Sequence, residues 1–189
     1  MNYTPFKLTT TGLAGTGKSV AGKKSKERFN LEHRMSAGDY YRALAEEKRM
    51  TLLELEALAE KDPSIDFEVD RRTSNFGMEQ QSFVFDGRLA WNCVPGSLKV
   101  LLVCPDKVRI GRIAERDGVS YEKAEHETLT RERSIRDRFL RYYGIERFDD
   151  PAHFDLVIDT DENDPDQTVQ KIAAAAIIRG IVFPQGVLV

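Results

Sequence analysis

Gly12-Leu13-Ala14-Gly15-Thr16-Gly17-Lys18-Ser19 fits the pattern G-x-x-x-x-G-K-[ST] throughout. This run constrains the fold because it works only between a strand and a helix. Its glycines let the backbone curl so that successive amides point inward, and the following helix adds partial positive charge at its N-terminus. The flanks meet that demand. Residues 6–11 read as a strand rich in β-branched side chains, and a helix is expected from near Gly17 toward Phe29. Gly12, Leu13, Ala14, Gly15, Thr16, Gly17, Lys18 and Ser19 are therefore the expected ATP-binding residues. Lys18 is expected to reach the β- and γ-phosphates, and Ser19 to offer its hydroxyl to a magnesium ion. A glycine-rich turn without a ligand is the alternative, and it leaves Lys18 and Ser19 unexplained.

The rest of the chain alternates short apolar runs with longer amphipathic ones, the pattern of an α/β fold with a parallel sheet. A short second strand is expected around His33-Arg34-Met35. Residues 38–80 then read as almost wholly helical, with Thr51 and Glu54 spaced for a capping box and Pro63 at another helix start. That stretch is too long for one crossover helix and is expected to lie over the sheet edge. Residues 82–86 and 98–103 read as strands. Asp106 is expected to cap a helix ending near Gly118, and Ser120 to cap a second running to about Gly144. Residues 154–159 read as the last strand. Asp164-Pro165 opens a final helix that Gly180 ends. The apolar tail, residues 181–189, is either a packed extension or a subunit contact.

Asp86 ends its strand after Phe83-Val84-Phe85, at the sheet edge where open α/β folds bind ligands. It is the expected magnesium-holding carboxylate, acting through a water; a turn or cap role beside Gly87 is the other reading. The glycines do not form G-x-G-x-x-G, which argues against a nicotinamide enzyme.

Several function classes fall away on composition. The 189 residues carry a net charge of −3, so binding to nucleic acid through a broad basic surface is not expected. No apolar run reaches the roughly 20 residues of a membrane span, and the N-terminus lacks signal-peptide regions, so a cytoplasmic protein is expected. Cys93 and Cys104 are too far apart for a C-x-x-C site. His33, His126 and His153 share no ligand spacing.

Arginine placement points to the second substrate. Arg42 stands at the turn into a helix, and Arg88 two residues after Asp86. Arg112 and Arg116 are four apart. Arg131, Arg133, Arg136, Arg138 and Arg141 crowd one helix, with Arg131 and Arg138 on one face. Phosphoryl transfer needs positive charge around the transferring oxygens, and a phosphate acceptor needs no general base. A solvated helix whose arginines pair with Glu132 and Asp137 is the competing reading.

At these positions the chain resembles a known family. The run at 12–19, Ser36-Ala37-Gly38-Asp39-Tyr40-Tyr41-Arg42, Ile65-Asp66 with Asp70-Arg71-Arg72, Asp86-Gly87-Arg88-Leu89-Ala90, Arg112-Ile113-Ala114-Glu115-Arg116, Tyr143-Gly144-Ile145 and the segment from Asp155 to Thr160 are similar to the short, archaeal-type cytidylate kinases. The resemblance spans about residues 6 to 178. It implies a three-layer P-loop NTPase fold with a five-stranded parallel sheet, a helical monophosphate-binding region at 38–80 and an arginine-bearing lid at 117–142; residues 180–189 are expected to be a C-terminal extension past the family core. It further implies that ATP and magnesium are used on CMP or dCMP, as monomer or homodimer. Ser36, Gly38, Asp39, Arg42, Asp70, Arg71 and Arg88 would hold the acceptor, and Arg112 would lie against the ATP base. Lys18, Arg88, Arg116, Arg131 and Arg138 would act on the transferring group, with Ser19 and Asp86 at the metal. A kinase for a hydroxyl acceptor, with Asp39 as its base, is the rival enzyme. A nucleotide-binding regulator is the rival outside catalysis, disfavoured by the absence of N-K-x-D and D-x-x-G.

Overall fold

The computed structural model describes residues 4–183. Five strands, β1 (Lys7–Thr11), β2 (His33–Ser36), β3 (Phe83–Asp86), β4 (Leu98–Val103) and β5 (Leu156–Asp159), form one sheet in the order β2-β3-β1-β4-β5. Every pairing is parallel. Parallel sheets hide both faces, and alternate side chains serve the two layers. Leu8, Val84, Val100, Leu102 and Ile158 pack under α1 (Lys18–Arg28) and α8 (Pro165–Ile178), meeting Ala21, Phe29, Val169 and Ile172. Phe83 and Phe85, on the opposite face, pack with Ala90, Val94, Phe76 and Tyr40.

Three helices occupy residues 38–80: α2 (Ala37–Glu47), α3 (Leu52–Ala59) and α4 (Ser64–Glu79). They share a small core of Leu44, Leu55, Ile65 and Val69. The Thr51–Glu54 capping box forms reciprocally, and a second one joins Ser36 to Asp39 at the start of α2. Such caps contribute about 1 kcal/mol each. The short α5 (Ala90–Cys93) precedes β4. Then come α6 (Asp106–Asp117) and the long α7 (Tyr121–Tyr143), capped by Ser120 and ended by Gly144 with φ 68. Asp164 caps α8 with proline at its first position.

Asp106 differs from its expected role. Pro105 holds the cap position and Asp106 is the first helical residue, its carboxylate taking the Arg109 Nε–H at 2.8 Å. Of the tail, Ile181 and Phe183 pack on the main core, with Phe183 stacked on Phe29 at 5.0 Å; residues 184–189 lie outside the described residues. Among the described residues no helix is long and apolar enough to cross a membrane.

Candidate active site

β1 runs straight into the glycine-rich loop, and Lys18 opens α1. Gly15 (φ 79) and Gly17 (φ 83) take left-handed backbone that other residues rarely adopt. A Cβ on Gly15 would collide with the Arg109 carbonyl, so the loop is pressed onto α6. The Lys18 Nζ folds back on the Leu13 carbonyl at 2.6 Å. Burial and then the Arg88 charge bring its pKa down to about 7.

Asp86 sits in register with Thr10 and accepts its hydroxyl; the other carboxylate oxygen takes Arg34 Nη2 at 2.9 Å. Gly22 of α1 leaves room for it, since a Cβ there would stand 2.9 Å from Oδ1. Burial raises its pKa, while Thr10, Arg34 and Lys18 oppose the shift. Each carboxylate oxygen keeps a lone pair for a metal-bound water. Among the described residues no group of three or more His, Cys, Asp or Glu forms a metal cage. One hydroxyl at Ser19 and one carboxylate at Asp86 suit magnesium, which fills its shell with phosphate oxygens and waters.

Beside this loop lies a cavity of about 650 Å³, walled by the three inserted helices and α7. That volume is in the range of small-molecule sites. Gly38, Tyr41 and Arg42 come from α2, Leu53 and Glu56 from α3, Asp66, Val69 and Asp70 from α4, and Arg131, Ser134 and Arg138 from α7. A second cavity, about 200 Å³, lies between α6 and α7 over Ala14, with Arg116 and Glu132 on its wall. Arg88, Arg131 and Glu127 line both cavities, and Arg131 is paired with Glu56. Burial and then the Arg131 charge pull Arg88 down to about 10, and its buried Nε has no partner among the described residues. The unused Arg88 donor at the junction suits an anion.

Charged groups in the larger cavity are tightly paired. Arg138 Nε lies 3.0 Å from Asp66 Oδ2, and Tyr41 donates to Asp66 Oδ1. Burial raises the Asp66 pKa against the pull of Arg138. Asp70, one turn along α4, accepts from the Tyr143 hydroxyl. Burial lifts it to about 6, with the Asp66 charge adding to the shift and the Tyr143 bond opposing it.

The model of the cytidylate kinase-like family matches residues 8–162. The chain belongs to that family. It is 40% identical over 155 residues to the cytidylate kinase of Methanococcoides burtonii, covering 81% of this chain and 86% of the relative. It is 39% identical over 169 residues to that of Pyrococcus horikoshii, covering 89% and 86%. Among solved structures, an uncharacterized protein from Eubacterium ventriosum superposes with a TM-score of 0.66 at 20% identity, over 89% of this chain and 96% of that one. Shikimate kinase from Bacteroides thetaiotaomicron superposes with a TM-score of 0.60 at 13% identity, over 93% and 99%. These two likenesses concern the fold alone.

The structure gathers most of the family-pattern residues and leaves some aside. Gly38, Arg42, Asp70, Arg88, Arg131 and Arg138 line the larger cavity. Arg71 does not: it is 62% exposed and paired with Glu68, because one residue beyond Asp70 the helix has turned about 100° away. Ser36 and Asp39 are taken up by the cap of α2, with Asp39 also holding Arg42. Although burial pushes the Asp39 pKa up, Ser36 and Arg42 hold it below the usual carboxylate range, which suits a cap better than a base. Arg112 donates to the Thr160 carbonyl at 2.8 Å, and Thr160 in turn reaches the Thr16 carbonyl. Arg116 is 68% exposed and turned toward Asp117. Arg138 stands on the acceptor side, bound to Asp66, rather than over the glycine-rich loop.

Some residues were not foreseen. His126 lines the larger cavity. Trp91 stacks on His153 at 4.0 Å. Above all, Glu132 is not a solvated partner of the arginines on its own helix. It is buried against Arg109 of α6. A signal existed: Arg109 lies four residues before Ile113, and Glu132 three before Ile135, each inside an apolar stripe. A charge in such a stripe calls for a buried partner.

Proposed function

We propose that this chain transfers the γ-phosphoryl group of ATP to CMP or dCMP, giving ADP and CDP or dCDP. Membership of the family makes it an ATP-dependent phosphotransferase with a nucleotide acceptor. The observation that carries the reaction type is the placement of Arg88 and Arg131 on the walls of both cavities. The donor polyphosphate lies in the glycine-rich loop, its amides and Lys18 holding the β- and γ-oxygens. An oxygen of the acceptor phosphate attacks the γ-phosphorus, and the bond to the bridging oxygen of the leaving ADP breaks. Arg42 and Arg88 hold the acceptor phosphate, while Arg88, Arg116 and Arg131 balance the charge that gathers on the transferring group. The acceptor oxygen is already ionised, so no base is required, and Asp39 can stay in its cap. Ser19 and Asp86 would hold magnesium, which would offset the negative charge of the polyphosphate. Arg112 faces the adenine side, beside Thr160.

The relatives' common name directs the choice of base, and the cavity chemistry agrees with it. Cytosine offers an amine donor next to acceptor atoms. Asp66 and Asp70 supply carboxylates within the cavity and Arg138 a donor, which fits that edge. The α7 region acts as a lid, excluding water that would otherwise take the phosphoryl group. Cys93 and Cys104 carry free thiols, in keeping with a cytoplasmic enzyme.

A panel of CMP, dCMP, UMP, AMP and GMP, followed by ADP release and product chromatography, tests the reading. CMP and dCMP should give the highest kcat/KM. Turnover of AMP or GMP above both cytidine nucleotides would refute the base assignment.

A further inference from the structure

We infer that the buried Arg109–Glu132 pair is a positioning device that fastens the glycine-rich loop to the arginine helix, so that Lys18 and Arg131 are held in one frame during transfer. The inference rests on the phosphoryl-transfer reading above and adds two residues to it.

Ala14 carries the argument. Its N–H donates to Glu132 Oε1 at 3.3 Å, and its carbonyl accepts from Arg109 Nη1 at 3.2 Å. The two side chains close on each other through a fork: Nη1 to Oε1 at 2.8 Å and Nη2 to Oε2 at 2.9 Å. One loop residue is thus gripped at both of its backbone polar groups by a pair of opposite charges. Arg109 is 1% exposed and Glu132 6%. Asp106 takes the remaining Arg109 Nε–H, which fixes the guanidinium plane.

Packing alone does not account for the pair. Burying two charges is costly, and apolar side chains of similar volume serve a plain helix contact at least as well. Apolar side chains cannot satisfy the Ala14 N–H and carbonyl. What the pair supplies is a defined loop position relative to α7, and Arg131 is the residue next to Glu132. Electrostatics agree: Glu132 is among the negative charges that favour the charged forms of both Lys18 and Arg88. A loop anchored to the helix that carries Arg131 sets the distance between donor phosphates and that guanidinium. Misplacement on the scale of 1 Å is enough to lose about 100-fold in rate.

The test uses Glu132→Gln, which keeps the shape and removes one charge, and the neutral double variant Arg109→Gln/Glu132→Gln, which leaves no unpaired buried charge. Thermal denaturation identifies the folded variants. In them kcat should fall about 10- to 100-fold, KM for CMP should change less than about twofold, and ADP released per CDP formed should rise as water competes. The double variant should be no worse than Glu132→Gln, because residues acting as a unit are not additive. Wild-type kcat with an unchanged ADP-to-CDP ratio in a folded variant would overturn the inference, as would a folded double variant with a much lower kcat than Glu132→Gln. A second readout needs neither variant nor turnover: amide exchange in the nucleotide-free wild type should show Ala14 N–H protected, and rapid exchange there would also overturn it. Absence of CDP from the wild type would instead sink the phosphoryl-transfer reading, and the Ala14 measurement would still report on the pair.

Discussion

Nucleotide binding should draw about one proton from solution, and Lys18 should be its destination. In the ligand-free protein burial and the Arg88 charge hold Lys18 at about 7. At pH 8 such a group carries about 0.1 proton, whereas a lysine restored to its ordinary value near 10.4 by phosphate oxygens carries about 1. Uptake per bound ADP is therefore about 0.9 at pH 8, and it shrinks to about 0.1 at pH 6. The phosphate's own last ionisation, near 6, is complete at pH 8 and does not confuse the count. Arg88, at about 10, stays almost wholly protonated there. Calorimetric titration with ADP in buffers of different ionisation enthalpy gives the number directly, as the slope of observed heat against buffer heat. Lys18→Met should flatten that slope while leaving the fold intact. A slope near zero for the wild type at pH 8, or an equal slope in Lys18→Met, would refute the reasoning. The sign for stability follows from the same shift. The folded chain holds this proton less tightly than the unfolded chain, so Lys18 works against folding increasingly as pH falls from about 10 toward 7. Bound polyphosphate cancels that penalty.

Three further outcomes follow from the site. Asp70 titrates near 6, and its ionised form suits a cytosine amine, so KM for CMP should rise more steeply below pH 6 in the wild type than in Asp70→Asn, where only the acceptor phosphate still ionises; identical steady-state pH profiles for the two would contradict this. Arg88→Ala should lower kcat/KM for the acceptor by about 100-fold or more, while Arg71→Ala, on the solvent face, should stay within about twofold of wild type; equal losses in the two would contradict the geometry. Gly15→Ala must force a Cβ against the Arg109 carbonyl at φ 79, and should cost about 2 kcal/mol or more in denaturant unfolding along with weakened ADP binding.

What could be read from the chain before folding divides along a physical line. Local rules carried far: the strand, loop and helix around residues 12–19, the caps at Thr51, Ser120 and Asp164, and the left-handed stops at Gly144 and Gly180 all depend on near neighbours and stand where expected. Asp106 shows the limit even there, since Pro105 took the cap and freed its carboxylate for Arg109. Partner choice across elements was not legible. Arg34 with Asp86, Arg131 with Glu56 and Arg109 with Glu132 join residues 52, 75 and 23 positions apart, and no spacing rule selects them. Helix phase explains Arg71: its neighbour Asp70 faces the cavity, and 100° of rotation carries Arg71 to solvent.

The destination of the γ-phosphorus distinguishes phosphoryl transfer from hydrolysis. Incubation of the protein with γ-labelled ATP, magnesium and CMP, followed by separation of nucleotides, follows it directly. Label should appear at the β-position of CDP, in amounts equal to the ADP formed, and Lys18→Met should abolish it. Label recovered only as inorganic phosphate, with CMP unchanged, would contradict the central claim.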